Sequence, residues 1–328
     1  MRRPSLAPLL ALLVAGCAAA GSALPVAAPR TVAERGLALP AGFAYPAHDT
    51  VRIATWNVEN FVDGVDDPYV DAPLENTGGR DRAAKLERVV EVLRTIDADV
   101  VILQEFEHSR WLRALAVERF PERGYRFFAG TESNTWYQNV VVMSRLPLGV
   151  LRSYAAVHTP VPGLRDSAGR PEVQSQINNR MWLLELLARD GTTLHVAGLH
   201  LKAGRTPRDT AMREGQVRFL QGELADVARR GAGIVVAGDL NATPGSRELD
   251  LLLAGAGTGV PLVDPLAGRG ILTHPAPRPT RQLDHILVDR RLAARLVPDG
   301  VRLHTPLPLE AMAGASDHLP LVATFVLR

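Results

Sequence analysis

The chain has 328 residues, 46% of them hydrophobic and 22% charged, enough apolar mass for one large core or two modest ones. Its single cysteine, Cys17, excludes an intramolecular disulfide and a multi-thiolate zinc cluster, and argues against a cysteine nucleophile. The formal charge is +2, and removal of residues 1–16 takes away Arg2 and Arg3 to leave 35 basic against 35 acidic side chains, so affinity for a polyanion must come from a local patch.

Arg2 and Arg3 precede an apolar run from Leu6 to Val14, then Ala15, Gly16 and Cys17: a charged start, a short hydrophobic segment and a small-residue cleavage site. The run is too short to span a bilayer as a stable helix. Leu13-Val14-Ala15-Gly16-Cys17 resembles the lipobox of bacterial lipoproteins. That resemblance implies a signal peptide over 1–16, acylation of Cys17 and an exported, membrane-anchored protein. Ala18 in place of aspartate leans toward the outer membrane in a cell with two membranes, the alternatives being the periplasmic or extracellular face. Residues 17–50, rich in Ala, Pro and Gly, read as a tether, and 51–328 as the folded domain.

The domain opens with a strand over Arg52–Asn60, whose last residues are polar. A loop rich in Asp, Pro and Gly spans Asp63–Gly79. Leu86, Val89, Val90 and Leu93 then follow the three-four spacing of a helix over about 81–96. Strands follow at 98–105 and 139–144, a loop at 159–179, and strands at 181–187 and 193–199. A helix runs from Asp209, as N-cap, to Arg230, with Gly231 as its C-cap. Ile234-Val235-Val236-Ala237-Gly238-Asp239-Leu240-Asn241 is a buried strand opening into a turn. A short helix at 249–253, a Gly/Pro-rich loop to Thr280 and strands at 283–288 and 321–327 complete the chain. Strands alternating with helices predict an α/β layered domain.

Polar residues crowd the strand ends: Asn57 with Glu59, Glu105, His200, Asp239 with Asn241, Asp284-His285, and Asp317-His318. Side chains two apart on a strand share a face, so Asp239 and Asn241 project together. In layered α/β folds such ends converge on one crevice. A carboxylate beside an amide suits a water held next to a phosphate or a divalent cation. Oxygen donors suit a hard Mg²⁺ or Mn²⁺, and too few cysteines and histidines lie at zinc spacing to argue for Zn²⁺.

Trp56-Asn57-Val58-Glu59-Asn60, Leu103-Gln104-Glu105, Gly198-Leu199-His200-Leu201, Gly238-Asp239-Leu240-Asn241, Leu283-Asp284-His285 and Ser316-Asp317-His318-Leu319-Pro320-Leu321 together resemble the ordered signature of the endonuclease/exonuclease/phosphatase superfamily. The resemblance covers residue 50 to the C-terminus. It implies two mixed β-sheets packed face to face with helices outside, a four-layer sandwich, and Mg²⁺-dependent attack of water on a phosphoester, with Mn²⁺ or Ca²⁺ as alternatives. It further implies Glu105 and Asp317 as metal ligands with Asn57 beside them, Asp239 as the residue that orients or deprotonates water, and Asn241 as a donor to phosphate. His318 would contact a non-bridging oxygen or act as acid, with Asp284 fixing its tautomer.

His200 is similar to a histidine of the deoxyribonuclease and sphingomyelinase branches, in which a glutamate orients it; Gln138 stands at that place here, which leaves the role of His200 open. Arg180 is a candidate phosphate contact or a solvated strand-edge residue. Arg278 and Arg281 are either a basic lip for a polyanion or solvated loop residues. Trp136 and Tyr137 suit a lipid-facing rim or a packing role. The expected function is an exported phosphodiesterase acting on nucleic acid and anchored to a membrane, with no protein partner implied. The rivals are a phospholipid or sphingomyelin phosphodiesterase, a phosphomonoesterase, and a catalytically silent binding module.

Overall fold

The computed structural model describes Val32 and residues 36–77, 81–133, 135–175, 177, 180–255 and 257–327. The signal peptide expected over residues 1–16 and the expected acylation site Cys17 lie outside the described residues. In chain order the elements are β1 (Thr50–Phe61), α1 (Pro73–Thr77), α2 (Arg82–Thr95), β2 (Val100–Phe106), α3 (Ser109–Arg119), β3 (Phe127–Gly130) and β4 (Asn139–Ser144). There follow β5 (Leu148–Arg152), β6 (Thr159–Arg165), β7 (Pro171–Gln174), β8 (Met181–Leu187), β9 (Thr193–His200), α4 (Pro207–Ala228), β10 (Gly233–Asp239) and α5 (Arg247–Ala254). The chain closes with β11 (Leu262–Val263), β12 (Asp284–Asp289), α6 (Arg290–Ala293), β13 (Leu296–Leu303), α7 (Leu309–Ala313) and β14 (Leu321–Val326).

Two six-stranded sheets form, in the orders β13-β14-β1-β2-β4-β3 and β11-β12-β10-β9-β8-β5. Each is antiparallel except for one central parallel pair, β1 with β2 and β9 with β10. The alternating residues Val51, Ile53, Val100, Ile102, Val140 and Val142 of one sheet meet Trp182, Leu184, Val196, Val235, Ala237 and Ile286 of the other in a dry central layer. The outer face of the first sheet is covered by α2 and α3, and that of the second by α4 and α5. This is the four-layer α/β sandwich expected from the sequence.

Several local expectations change. The loop expected over 159–179 contains the β6–β7 hairpin, which packs on α4, and α1 sits within the Asp63–Gly79 loop. The N-cap of α4 is Thr206, with Asp209 at the third helical position completing a reciprocal capping box, and the C-cap is Arg229. Within the stretch expected as a tether, the Phe43 ring lies 5.3 Å from Phe127, and Arg189 donates to the carbonyls of Tyr45 and Pro46 at 3.2 and 2.6 Å.

The strand tips that bear chemistry are shaped by local distortion. Pairing of β1 with β2 slips between Asn57 and Phe61, and pairing of β2 with β4 slips between Gln104 and Phe106. Beyond the slips Phe61, Phe106 and Trp111 form an aromatic knot with centroids 4.6–5.3 Å apart, each pair worth about 0.5–1.5 kcal/mol beyond its buried area. Glu59, Asn60, Glu105 and Asn241 adopt left-handed backbone, with φ of +49°, +49°, +56° and +50°. Such non-glycine conformations cost of order 1–3 kcal/mol each and persist where packing over-determines them. Gly238, at φ +147°, brings β10 so close to β9 that a Cβ there would lie 1.9 Å from the Leu199 carbonyl oxygen; it allows Asp239 to turn into the site.

Candidate active site

The tips of β1, β2, β9, β10 and β12 and the loop before β14 meet at one end of the sandwich. A cleft of about 640 Å³ opens there, lined by Glu105, His200, Asp239, Asn241, Asp317 and His318, among others. Residues as far apart in the chain as 57 and 318 are thus brought together.

His318 is the centre of the hydrogen-bond network. Its Nδ1 lies 2.8 Å from Asp284 Oδ2, both groups buried, while its Nε2 stands 3.7 Å from Asp239 and 3.9 Å from Asp317. The Nδ1 proton is therefore committed to Asp284, and the Nε2 proton faces the cleft. Burial disfavours the imidazolium, but Asp284 and then Asp239 outweigh it and raise His318 to about 10. The backbone is pinned by Ser316, whose hydroxyl donates to the Asn57 carbonyl at 2.7 Å and accepts from His318 N at 2.9 Å. Trp56 Nε1 donates to the His318 carbonyl at 2.9 Å. The opening strand thereby fixes the last motif.

Asp239 is almost fully buried, and burial raises its carboxyl against the pull of His318. Asn241 N donates to its Oδ1 at 2.8 Å, and Asn57 Nδ2 to its Oδ2 at 3.1 Å. Asn57 also donates to Glu105 Oε1 at 3.2 Å, while its amide oxygen accepts from Glu59 N at 2.9 Å. Asn57, expected among the metal ligands, turns its amide nitrogen toward the carboxylates and its oxygen toward Glu59 N. It serves as a donor tying Glu105 to Asp239.

Glu105 Oε2 accepts from Asn60 N at 2.9 Å and from Gln138 Nε2 at 2.7 Å. Gln138 therefore steadies Glu105 and not His200. His200 Nε2 is 3.6 Å from Glu105 and 3.9 Å from Asp239, and its Nδ1 has no partner among the described residues. Burial and then the Arg180 charge lower His200 to about 4, so it is neutral near pH 7 and has no imidazolium proton to give. Arg180 is half-buried within electrostatic reach of Glu105 and Asp239. The basic lip divides: Arg281 lines the cleft, and Arg278 stays exposed. His285 points elsewhere, holding the Ala242 carbonyl at 2.9 Å and Asp264 at 3.2 Å.

The structure adds residues that sequence reasoning did not assign. Glu59, noted only as a strand-end carboxylate, accepts from Asp317 N at 3.1 Å and faces Lys85 Nζ at 3.6 Å. Burial raises the Glu59 carboxyl; Lys85 opposes this, and Asp317 and Glu105 reinforce it. His274 accepts from Arg281 on Nδ1 at 2.8 Å and so donates from Nε2 to Asp317 at 3.2 Å. Its ring lies 4.6 Å from that of His318. Lys85 lies on the face of α2 that carries Val89 and Val92, and His274 lies in a Gly/Pro-rich loop; neither stands at a strand end. A separate cluster of Asp63, Glu107 and His108 borders a second cavity and is knit by its own hydrogen bonds.

Glu59 lies within electrostatic reach of both Asp317 and Glu105, with Lys85 as the nearby cation, and the ligand atoms of His274, Asp317 and His318, like those of Asp239, Asp284 and His318, lie within 4.8 Å of one another. Hard oxygen donors whose mutual repulsion is incompletely offset fit a divalent cation such as Mg²⁺. Fold and site together define a phosphoric ester hydrolase of the metal-dependent class.

A family model, the Endonuclease/Exonuclease/phosphatase family, matches residues 54–318, and the chain belongs to that family. No curated protein matches the sequence. Among solved structures the chain is similar to an endonuclease/exonuclease/phosphatase from Beutenbergia cavernae, at 22% identity and TM-score 0.54 over 85% of this chain and 72% of that one. It is similar to the catalytic domain of human Nocturnin with a bound sulfate, at 17% identity and TM-score 0.55 over 84% and 94%. An AP endonuclease from Archaeoglobus fulgidus shares 18% identity and TM-score 0.56 over 84% and 99%. At these identities the likeness establishes the shared fold.

Proposed function

We propose that the protein is an exported phosphodiesterase that hydrolyses nucleic acid with the help of a divalent cation. The observation that carries this reading is His318, held as imidazolium by Asp284 with its Nε2 proton left free in a cleft that also holds Asp239 and Glu105.

Glu105 and Asp317, with Glu59 beside them, would hold the cation, which supplies positive charge over the phosphate to offset repulsion of the nucleophile. Asp239 accepts a proton from water as its oxygen forms a bond to phosphorus and the bond to the leaving oxygen breaks. Burial suits Asp239 to that task by bringing its proton affinity closer to working pH. Asn57 and Asn241 aim its oxygens. His318 Nε2, too far from Asp239 and Asp317 to be consumed by either, donates to a non-bridging oxygen as charge builds there. Arg180 adds a second cation at the same end of the fold.

The test is hydrolysis of bis-p-nitrophenyl phosphate and plasmid DNA with Mg²⁺ or Mn²⁺, with and without chelator. Turnover that needs metal and is lost in Asp239→Asn supports the reading; none on either substrate would sink it. The second reading, a phospholipid phosphodiesterase, is favoured by Tyr69 and Trp136, 78% and 38% exposed around one cavity. Faster hydrolysis of sphingomyelin vesicles than of DNA would establish it. Export rests on the lipobox alone; palmitate labelling that disappears in Cys17→Ser tests it.

A further inference from the structure

Three guanidinium groups line the cleft beyond the groups used above; Arg213 is buried and bonded to Glu248, which leaves Arg205 and Arg281 to face it. Arg205 comes from the loop between β9 and α4, and Arg281 from the loop before β12. The Arg281 guanidinium makes one hydrogen bond, to His274 Nδ1, and that of Arg205 has no hydrogen-bond or ion-pair partner among the described residues. They are close enough that, after burial, the Arg205 charge is the main influence lowering the proton affinity of Arg281, with Asp239 and Asp317 opposing it in part.

The loop carrying Arg205 is pinned on both sides. Buried Arg213 donates to the carbonyls of Lys202 and Gly204 at 2.8 Å each and to Glu248 at 2.7 Å. Gly204, at φ +105°, packs so tightly on Asp209 that a Cβ would fall 2.3 Å from its carboxylate. Asp209 in turn holds Lys202 at 3.2 Å and the Thr206 cap. Arg205 is thus presented by ordered backbone. Fixing two like charges on one wall is unfavourable unless an anion comes between them. The cleft is also bordered by the N-terminus of α5, where the Ser246 hydroxyl is shielded from solvent, makes no cap bond and has no partner among the described residues. Backbone N–H groups at such a terminus also favour an anion.

We infer that Arg205, Arg281 and Ser246 form a second phosphate subsite, which takes the phosphate next along a polynucleotide strand from the one being cut. The inference rests on the phosphodiesterase reading and narrows its substrate to chains of phosphodiesters. A choline phospholipid would bring a cation to the wall where the arginines stand. His274 joins the two places, touching Arg281 on one side and Asp317 on the other, which puts the subsite one step from the reacting phosphate.

The experiment is calorimetric titration of thymidine 3′,5′-bisphosphate, thymidine 3′-monophosphate and thymidine 5′-monophosphate into the purified protein and into Arg205→Ala, over a series of salt concentrations. The wild type should bind the bisphosphate at least about tenfold more tightly than either monophosphate, the gain expected of one charged hydrogen-bonded contact. Arg205→Ala should remove that preference and weaken the dependence of bisphosphate affinity on salt. Equal affinity for bisphosphate and monophosphates, or a preference that survives in Arg205→Ala, overturns the subsite. Hydrolysis of bis-p-nitrophenyl phosphate is measured on the same preparations. Bisphosphate preference without hydrolysis keeps the subsite and counts against the enzyme reading, and hydrolysis without the preference does the reverse.

Discussion

Asp284→Asn isolates one contact on which the chemistry depends. The Asp284 carboxylate is fully buried, its Oδ2 lies 2.8 Å from His318 Nδ1, and its Oδ1 has no partner among the described residues. Asparagine keeps the shape and removes the charge. A hydrogen bond to a charged group is worth about 1.5–3 kcal/mol, and about 1.4 kcal/mol is tenfold in rate, so kcat on bis-p-nitrophenyl phosphate should fall by roughly ten- to two-hundredfold. The same change has a readout that needs no metal. Because His318 is raised from 6.5 to about 10 on folding, its contribution to stability is whole below pH 6.5 and is lost as pH climbs through about 10. Within that window the group makes the wild type lose up to about 1.4 kcal/mol per pH unit in urea unfolding. Asp284→Asn should flatten this alkaline decline, since Asp284 is the largest influence raising His318. A kcat within about threefold of wild type, together with an unchanged alkaline slope, would refute the assignment of Asp284 as the group that charges and orients His318.

Asp239→Asn should reduce kcat by about two to four orders of magnitude; the amide keeps the Asn241 N–H contact but sets its own NH2 against the Asn57 donor, and a kcat within about tenfold of wild type would count against Asp239 as the proton acceptor. Lys85→Met removes the cation beside Glu59; Mn²⁺ affinity measured by calorimetry should rise, and an unchanged affinity would place the cation elsewhere. Gly238→Ala should cost about 3 kcal/mol or more in urea unfolding, since φ is +147° and the new Cβ would meet the Leu199 carbonyl oxygen at 1.9 Å. A midpoint equal to wild type would show that β9 and β10 yield there without penalty.

The layered fold was legible because its central strands are continuous apolar runs and its long helices carry clean periodicity. Val89, Val90 and Leu93 of α2 and Val217, Leu220 and Leu224 of α4 are buried as their spacing implies. The weaker edges were not legible. β6 and β7 contain Pro160, Pro162, Gly163 and Pro171 and bury only Thr159, Val161 and Gln174, so their pattern reads as loop. In the site, residues standing at strand ends announce themselves through the abrupt change from apolar to polar. Lys85, His274, Arg205 and Ser316 do not, because their place depends on how α2 and three connecting loops fold over the tips. The orientation of Asn57 was likewise invisible: only the Glu59 N–H on its oxygen decides which end of the amide faces the carboxylates.

The central claim is that acids distant in sequence cooperate around one cation to cut a phosphodiester. Mn²⁺ binding by the wild type and by Glu105→Gln, followed calorimetrically alongside bis-p-nitrophenyl phosphate hydrolysis, tests it most directly. The account predicts that Glu105→Gln loses a bound Mn²⁺ and turnover together. Equal Mn²⁺ binding in the two proteins, or hydrolysis that continues at the wild-type rate, would contradict it.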